Sequence, residues 1–563
     1  MDDRLATGEG AAELTPVTAV DLGEPEARVL EAAREVRQVP VREVVDRHHL
    51  AALGHEPFAQ MGPDKARAPS DPDPRRGLHA AHSNPGPWSP RLRLAPRPLN
   101  TIAAMPDATA PLGRGRRPAW RALTKPSAGT LGLVTILVLG AVARIAWIAY
   151  ATRQPQALHD PTVYLSAGDQ LERGLGYRYV NLGVSAYFPP GFPFALAAVF
   201  WIVRHTPLPE NLPHAAAAFN TLCELIGVGL VYAFGRRLIG NGAALGAAAI
   251  VAFLPNLVFH GGAILSEPLF IALVLGALAV LLWNPWQDGR VPPRRLVAFG
   301  VLVGLAALTR PVGGVLVVAL VAASWIGGAG ARRAFAQGGI GLAAALVVIL
   351  PWTIRNAAVM HYPIVISANA GDDLCYGNNP HASGSFELTP NCEVPPSRSR
   401  PRQEVRELRA NVREAAKYAV THPWREVELV GLRARYIFAD GDHDAVDVVE
   451  SYGSDRFIPK GLRSALVTVA DVSYYVVLAL ALIGLPRFVR GDPRRLMVVC
   501  SVLALLVLPL VSFGLDRWHV PMMALLALPA AVGAASVRRR LAGGAPGTPD
   551  ARAAPQPRSG NRG

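Results

Sequence analysis

Charge is scarce in this chain. Asp, Glu, Lys and Arg make up 17% of its 563 residues against 51% hydrophobic. Apolar runs of roughly 15 to 20 residues recur from Leu131 to Val537, and a soluble core would interrupt them with polar faces, so they read as bilayer spans. Cysteine is nearly absent too, at four residues. Cys223 and Cys500 fall inside apolar runs, where they are expected to pack as small apolar side chains. No apolar run precedes Leu131, which argues against a cleavable secretory signal, and no internal repeat of solenoid period is present. Standard metal-ligand spacing is missing as well. His159, Asp160 and His260 match no ligand motif, so neither a metal nor another cofactor is expected. Asp440, Asp442, Asp444 and Asp447 imitate the start of a calcium loop, but Ala445 stands where glycine is needed and Ser451 where the closing glutamate belongs. A solvated acidic turn is the expected reading there.

What is present is a net charge of +14. Its arginine clusters sit between apolar runs and in the tails, where the positive-inside rule puts them, so nucleic acid is not implied. The chain divides accordingly. Residues 1–125 form a basic, proline-rich region expected to be disordered and cytoplasmic, with Met105 as an alternative start. A transmembrane core covers 126–356 with a first outer loop at 151–213, and an extracytoplasmic insert covers 357–463. C-terminal spans at 464–540 precede a disordered cytoplasmic tail at 541–563. The stretch Arg402 to Phe438 in the insert carries helical spacing, with Val405, Leu408, Val412, Ala415 and Ala419 on one face.

Charge also sets the expected topology. Arg114 to Lys125 holds the N-terminus inside, so the run Leu131 to Tyr150 delivers His159 and Asp160 to the outer face. Working back from Arg538-Arg539-Arg540, the Asp516-Arg517 loop is outside, Arg487 to Arg495 inside and the insert outside. Both walks agree only if Phe188 to Val203 does not cross. Its opening Pro189-Pro190-Gly191-Phe192-Pro193 breaks helical geometry and suits an outer-interface helix. The expected fold is therefore an all-α polytopic membrane protein with about ten transmembrane helices plus that surface helix.

On this topology Asp160, Glu267, Arg310, Arg355 and Arg517 all fall at the outer edge, and ionisable groups at such positions are functional candidates by default. Arg144 alone lies within a span and is expected to snorkel. Cys375 and Cys392 share the outer insert, an oxidising location, and are expected to be disulfide-bonded.

At these residues the sequence resembles the GT-C superfamily of bacterial membrane glycosyltransferases, in the branch of protein mannosyltransferases and aminoarabinose transferases, glycosyltransferase family 39. The likeness rests on Asp160 with Tyr164, on Gly174-Leu175-Gly176-Tyr177, on Pro189 to Pro193 and on Leu265-Ser266-Glu267-Pro268-Leu269-Phe270. It continues through Gly304 to Pro311, Pro351-Trp352-Thr353-Ile354-Arg355-Asn356, Asn378-Asn379-Pro380 with Ser383-Gly384, and Asp516-Arg517-Trp518-His519-Val520-Pro521. Order and spacing carry it, across about Leu131 to Val537.

The resemblance implies an inverting transfer of a sugar from a polyprenyl-phosphate donor to an acceptor hydroxyl on the extracytoplasmic face, the acceptor being protein, lipid or cell-wall glycan. In that reading Asp160 is the base and Glu267 orients acceptor or sugar. Arg310, Arg355 and Arg517 hold the donor phosphate, while Tyr164, Asn378 and Asn379 border the acceptor or sugar. The family's usual second acid in the first loop is missing here, His159 standing beside Asp160. The partners implied are the lipid-linked sugar, the acceptor and the bilayer of the plasma membrane, with both termini cytoplasmic. A transporter or flippase of anionic lipid-linked substrates is the alternative, and it would want its ionisable groups near midplane instead of at the edge.

Overall fold

The computed structural model describes residues 127–542, apart from 157–158, 180–182, 208, 398, 452–455 and 491. The readings of 1–125, of Met105 as a start and of the tail beyond 542 lie outside the described residues. Helices supply almost all the regular structure, and the protein is an all-α membrane protein; among the described residues one two-stranded hairpin, β1 (Arg178–Tyr179) against β2 (Gly183–Val184), is the exception.

Helix α1 (Ala128–Ala151) begins where Ser127 Oγ accepts from the Thr130 amide at 3.2 Å, satisfying one open donor of the first turn. Its residues Leu131, Val138, Val142 and Ile145 are exposed. In water that face would be unfavourable, whereas in a bilayer it meets lipid. The chain then forms α2 (Asp160–Glu172), α3 (Gly191–Arg204), α4 (Leu212–Ile239), α5 (Asn241–Phe253), α6 (Pro255–His260), α7 (Glu267–Leu282) and α8 (Pro293–Thr309). A 3-10 turn at Pro311–Val315 leads into α9 (Leu316–Ser324), followed by α10 (Ala331–Met360). The insert contributes α11 (Ala370–Gly377), α12 (Arg400–Thr421), α13 (Pro423–Phe438) and α14 (Asp444–Glu450), and the bundle closes with α15 (Lys460–Phe488), α16 (Arg494–Val511) and α17 (Val520–Ala542). Seven segments are long and apolar enough to span a membrane: α1, α4, Pro311–Ala329, α10, α15, α16 and α17.

Small residues let these helices approach closely. A β-carbon at Gly304 of α8 would lie 2.8 Å from the Ala345 carbonyl of α10, and one at Gly484 of α15 would lie 2.6 Å from the Gly533 amide of α17. Between helices already in lipid, such close backbone packing takes over the role that hydrophobic burial plays in water.

The two ends of the bundle differ. At one end the Arg494 guanidinium donates to the carbonyls of Leu282 (2.8 Å) and Arg237 (3.2 Å), and Arg495 Nε donates to Leu238 at 3.1 Å, so the ends of α4 and α7 meet the basic start of α16. At the opposite end lie the start of α7, the end of α8 and the start of α17, with the insert. Helix α3 begins and finishes at this second end: Gly191 abuts Thr309 of α8, and after Arg204 the chain enters α4, whose Asn220 donates to Leu265. Fourteen residues, about 21 Å of helix, thus lie beside the bundle against α2, to which Arg204 is tied by ion pairs with Asp169 and Glu172. That placement agrees with a helix that does not cross.

Two expectations need correction. The helical stretch Arg402 to Phe438 is two helices, because Pro423 disfavours helical geometry at the preceding His422, whose φ and ψ are −127° and 56°. Arg144 does not snorkel. It is fully buried, Nε donating to Glu224 at 2.5 Å and Nη1 to the Ala252 carbonyl at 2.8 Å, because α5 and α6 break at Pro255 and leave a carbonyl there to be satisfied.

Candidate active site

At the second end the bundle and the insert enclose a cavity of about 530 Å³. Its wall includes Asp160, Tyr164, Arg310 and Arg517, residues drawn from three distant parts of the sequence. Asp160 opens α2 with Pro161 behind it, a helix start being a favourable place for a carboxylate. Glu267 opens α7 in the same way, after a tight turn in which buried Ile264 is held at φ 49°. A branched residue adopts that conformation only under constraint from its surroundings.

These groups bond to one another. Arg517 Nη1 donates to Asp160 Oδ2 at 2.8 Å, its Nη2 donates to Glu267 Oε2 at 3.2 Å, and its Nε also reaches Glu267. Arg310 Nη1 donates to the same carboxylate. Glu267 is fully buried just behind the wall, an anion shared between two guanidiniums. Arg517 spends all three of its nitrogens on these carboxylates, which hold its pKa well above the usual value despite burial. Arg310 spends little: beyond Nη1 it has no stronger bond among the described residues, and its guanidinium lies over the Trp518 ring at 5.1 Å.

Other expected site residues lie elsewhere. Arg355 does not line the cavity; it donates to the carbonyls of Ser185 (2.8 Å) and Tyr177 (3.0 Å) and stacks over Trp352, fastening the β-hairpin segment to α10. A guanidinium so occupied is not free to hold a phosphate. Asn378 and Asn379 are buried and turn their amides to the backbone. Asn378 Nδ2 donates to the carbonyls of Leu374 and Val511, and Asn379 Nδ2 donates to the Cys375 carbonyl while its Oδ1 accepts from the His381 amide. Cys375 and Cys392 are disulfide-bonded, with Cα atoms 5.9 Å apart.

The acidic run of the insert is not a solvated turn. Asp442 Oδ1 lies 3.0 Å from His519 Nε2 and accepts from Asn256 Nδ2 at 2.6 Å, and the same amide donates to Asp444 Oδ1 at 2.7 Å. The run therefore seals the insert onto α6 and α17, and both carboxylates are buried. Among the described residues no group of three or more His, Cys, Asp or Glu side chains is arranged to hold a metal ion.

Asp516 and Trp518, which flank Arg517 in the sequence motif, also line the cavity, as does Asp373, which was not foreseen. Burial, reinforced by neighbouring Asp372, pushes the Asp373 carboxyl up to about 8. Burial and Asp444 push Asp516 up to about 7. The one available signal was the doubled acid Asp372-Asp373 shortly before Cys375.

Fold and cavity together define a multi-pass membrane protein with a charged site at one end of its bundle. Residues 189–354 match the dolichyl-phosphate-mannose-protein mannosyltransferase family. No curated protein matches the sequence. Among solved structures the chain is similar to the oligosaccharyltransferase AglB of Archaeoglobus fulgidus, solved with an inhibitory peptide and a dolichol-phosphate, at 14% identity over 73% of this chain and 51% of that one, with a TM-score of 0.42. It is also similar to ArnT of Cupriavidus metallidurans, solved with undecaprenyl phosphate, at 18% identity over 73% of this chain and 79% of that one, with a TM-score of 0.33. The chain thus spans about half the length of the archaeal enzyme.

Proposed function

We propose that this protein transfers a sugar from a polyprenyl-phosphate donor to an acceptor hydroxyl at the extracytoplasmic face of the plasma membrane, with inversion at the anomeric carbon. The observation that carries this reading is the pairing of unequal arginines at the cavity wall. Arg517 is saturated by Asp160 and Glu267, while Arg310 is steadied by Glu267 and keeps donors to spare. A guanidinium with unspent donors in a partly dry cavity suits a phosphate oxygen that gains charge as the glycosidic bond breaks. Its stacking on Trp518 also offers an apolar surface for a lipid or sugar.

In this reading Arg310 binds the donor phosphate and Arg517 stiffens the cradle. The attacking hydroxyl loses its proton to a cavity carboxylate, and Asp160 and Asp373 are the two nearest that role. Neither metal nor other cofactor takes part. Helices α5 with α6, α7 and α8 complete about ten crossings, and the arginine clusters at the opposite end keep that face and both termini cytoplasmic. The family match over 189–354 supports the reaction class; acceptor and sugar are open to direct assay. Purified protein in proteoliposomes, given radiolabelled undecaprenyl-phosphate mannose or arabinose and envelope extract, is expected to move label into the extract. Label that stays in the lipid with every donor refutes the reading.

A further inference from the structure

Asp160 and Asp373 share the cavity wall with Arg310, and they are not equivalent. Asp160 is committed: its Oδ2 receives Arg517 at 2.8 Å. A carboxylate oxygen already engaged by a guanidinium is less available to a substrate hydroxyl. Asp373 has no ion pair among the described residues; its bond is from the neutral amide of Asn369, at 3.2 Å.

The segment around Asp373 is built to hold it. Asp372, one residue earlier on α11, points into the protein and accepts from Tyr187 Oη and from Asn411 Nδ2, both at 2.7 Å. The Cys375–Cys392 disulfide ties the next turn of the helix to the loop that also receives Asn411, through the Cys392 carbonyl at 3.1 Å. Consecutive residues on a helix point about 100° apart. Anchoring Asp372 inward therefore presents Asp373 to the cavity. Such a brace on a short eight-residue helix fits a group that must meet a substrate in one orientation.

From this geometry we infer that Asp373, and not Asp160, removes the proton of the acceptor hydroxyl, Asp160 serving as a positioning residue that holds Arg517. The inference rests on the glycosyl-transfer reading above. The step balances: the acceptor O–H proton passes to the Asp373 carboxylate, the oxygen forms a bond to the anomeric carbon, and the bond from that carbon to the phosphate oxygen breaks with its electron pair on polyprenyl phosphate. The charged groups around Asp373 are Asp372 on its own helix, Arg310 after α8 and Asp160 on α2; burial and the two aspartates outweigh the arginine. A carboxylate whose proton affinity lies near working pH is well matched to the task of a general base.

The test uses the full chain in proteoliposomes with undecaprenyl-phosphate mannose and arabinose as donors, measured from pH 6 to 9. Wild-type kcat is expected to rise with pH as Asp373 ionises. Asp373→Asn is expected to lower kcat about 100-fold or more, to leave the donor KM within about twofold and to erase the rising limb; Asp373→Glu restores part of both. Asp160→Asn is expected to raise the donor KM and to keep the limb. Asp373→Asn with unchanged kcat and limb, or a limb lost in Asp160→Asn alone, overturns the inference while leaving glycosyl transfer standing. A wild type that transfers neither sugar overturns both.

Discussion

Arg517 and Asp160 lie 357 positions apart in the sequence, and the fold brings Nη1 of the one to within 2.8 Å of Oδ2 of the other. The loop before α17 and the start of α2 are thereby joined across the mouth of the cavity. Because Arg517 also holds Glu267, the contact fixes three elements at once.

Glu267 is the hub of this arrangement. It is fully buried between Arg310 and Arg517, so its removal leaves two cations facing each other with little solvent. Breaking a buried pair by deleting one partner costs about 3 to 5 kcal/mol. Glu267→Ala is expected to melt several degrees lower in detergent, measured by tryptophan fluorescence, and an unchanged melting curve would show that the three groups do not act as a unit.

The Arg144–Glu224 pair makes the same argument inside the bundle, away from the cavity. Arg144→Leu alone strands a buried carboxylate and is expected to destabilise by about 3 kcal/mol or more. Arg144→Leu with Glu224→Leu removes both charges and is expected to recover most of that loss, as read from unfolding midpoints. If the double variant is no better than the single, the carbonyl contacts of Arg144, and not the ion pair, hold that region.

Both calculations concern residues whose types were legible and whose partners were not. Asp160, Glu267, Arg310 and Arg517 stood out in the sequence because ionisable groups at the ends of apolar runs are costly, and the alternation of arginine clusters put them at one end. The same logic assigned Arg355 to the group, but it gives the depth of a side chain and not its direction. Arg355 lies off the cavity wall and donates to the Tyr177 and Ser185 carbonyls. Asn378 and Asn379 turn their amides back onto carbonyls of α11, a local arrangement invisible without the helix boundary. Asp442 and Asp444 looked like solvated acids because their partners, His519 and Asn256, lie far along the chain.

Asp373 yields a stability prediction separate from activity. Its folded-state pKa, about 8, lies above the value of an unfolded aspartate, so the folded protein binds the extra proton. Its contribution is complete below about pH 4 and is lost as pH rises through the folded value. The melting temperature of the wild type relative to Asp373→Asn is therefore expected to fall between pH 5 and pH 9. A constant difference over that range would mean that the carboxyl titrates normally.

The phosphate cradle is tested most directly by a measurement that needs neither the sugar nor the acceptor. Binding of undecaprenyl phosphate to the protein in nanodiscs is compared for the wild type, Arg310→Gln and Arg355→Gln. The loss of one charge-assisted contact of about 1.5 to 3 kcal/mol is expected to weaken binding by Arg310→Gln at least tenfold, while Arg355→Gln binds as the wild type does. Equal binding by Arg310→Gln, or a loss in Arg355→Gln instead, would contradict the account.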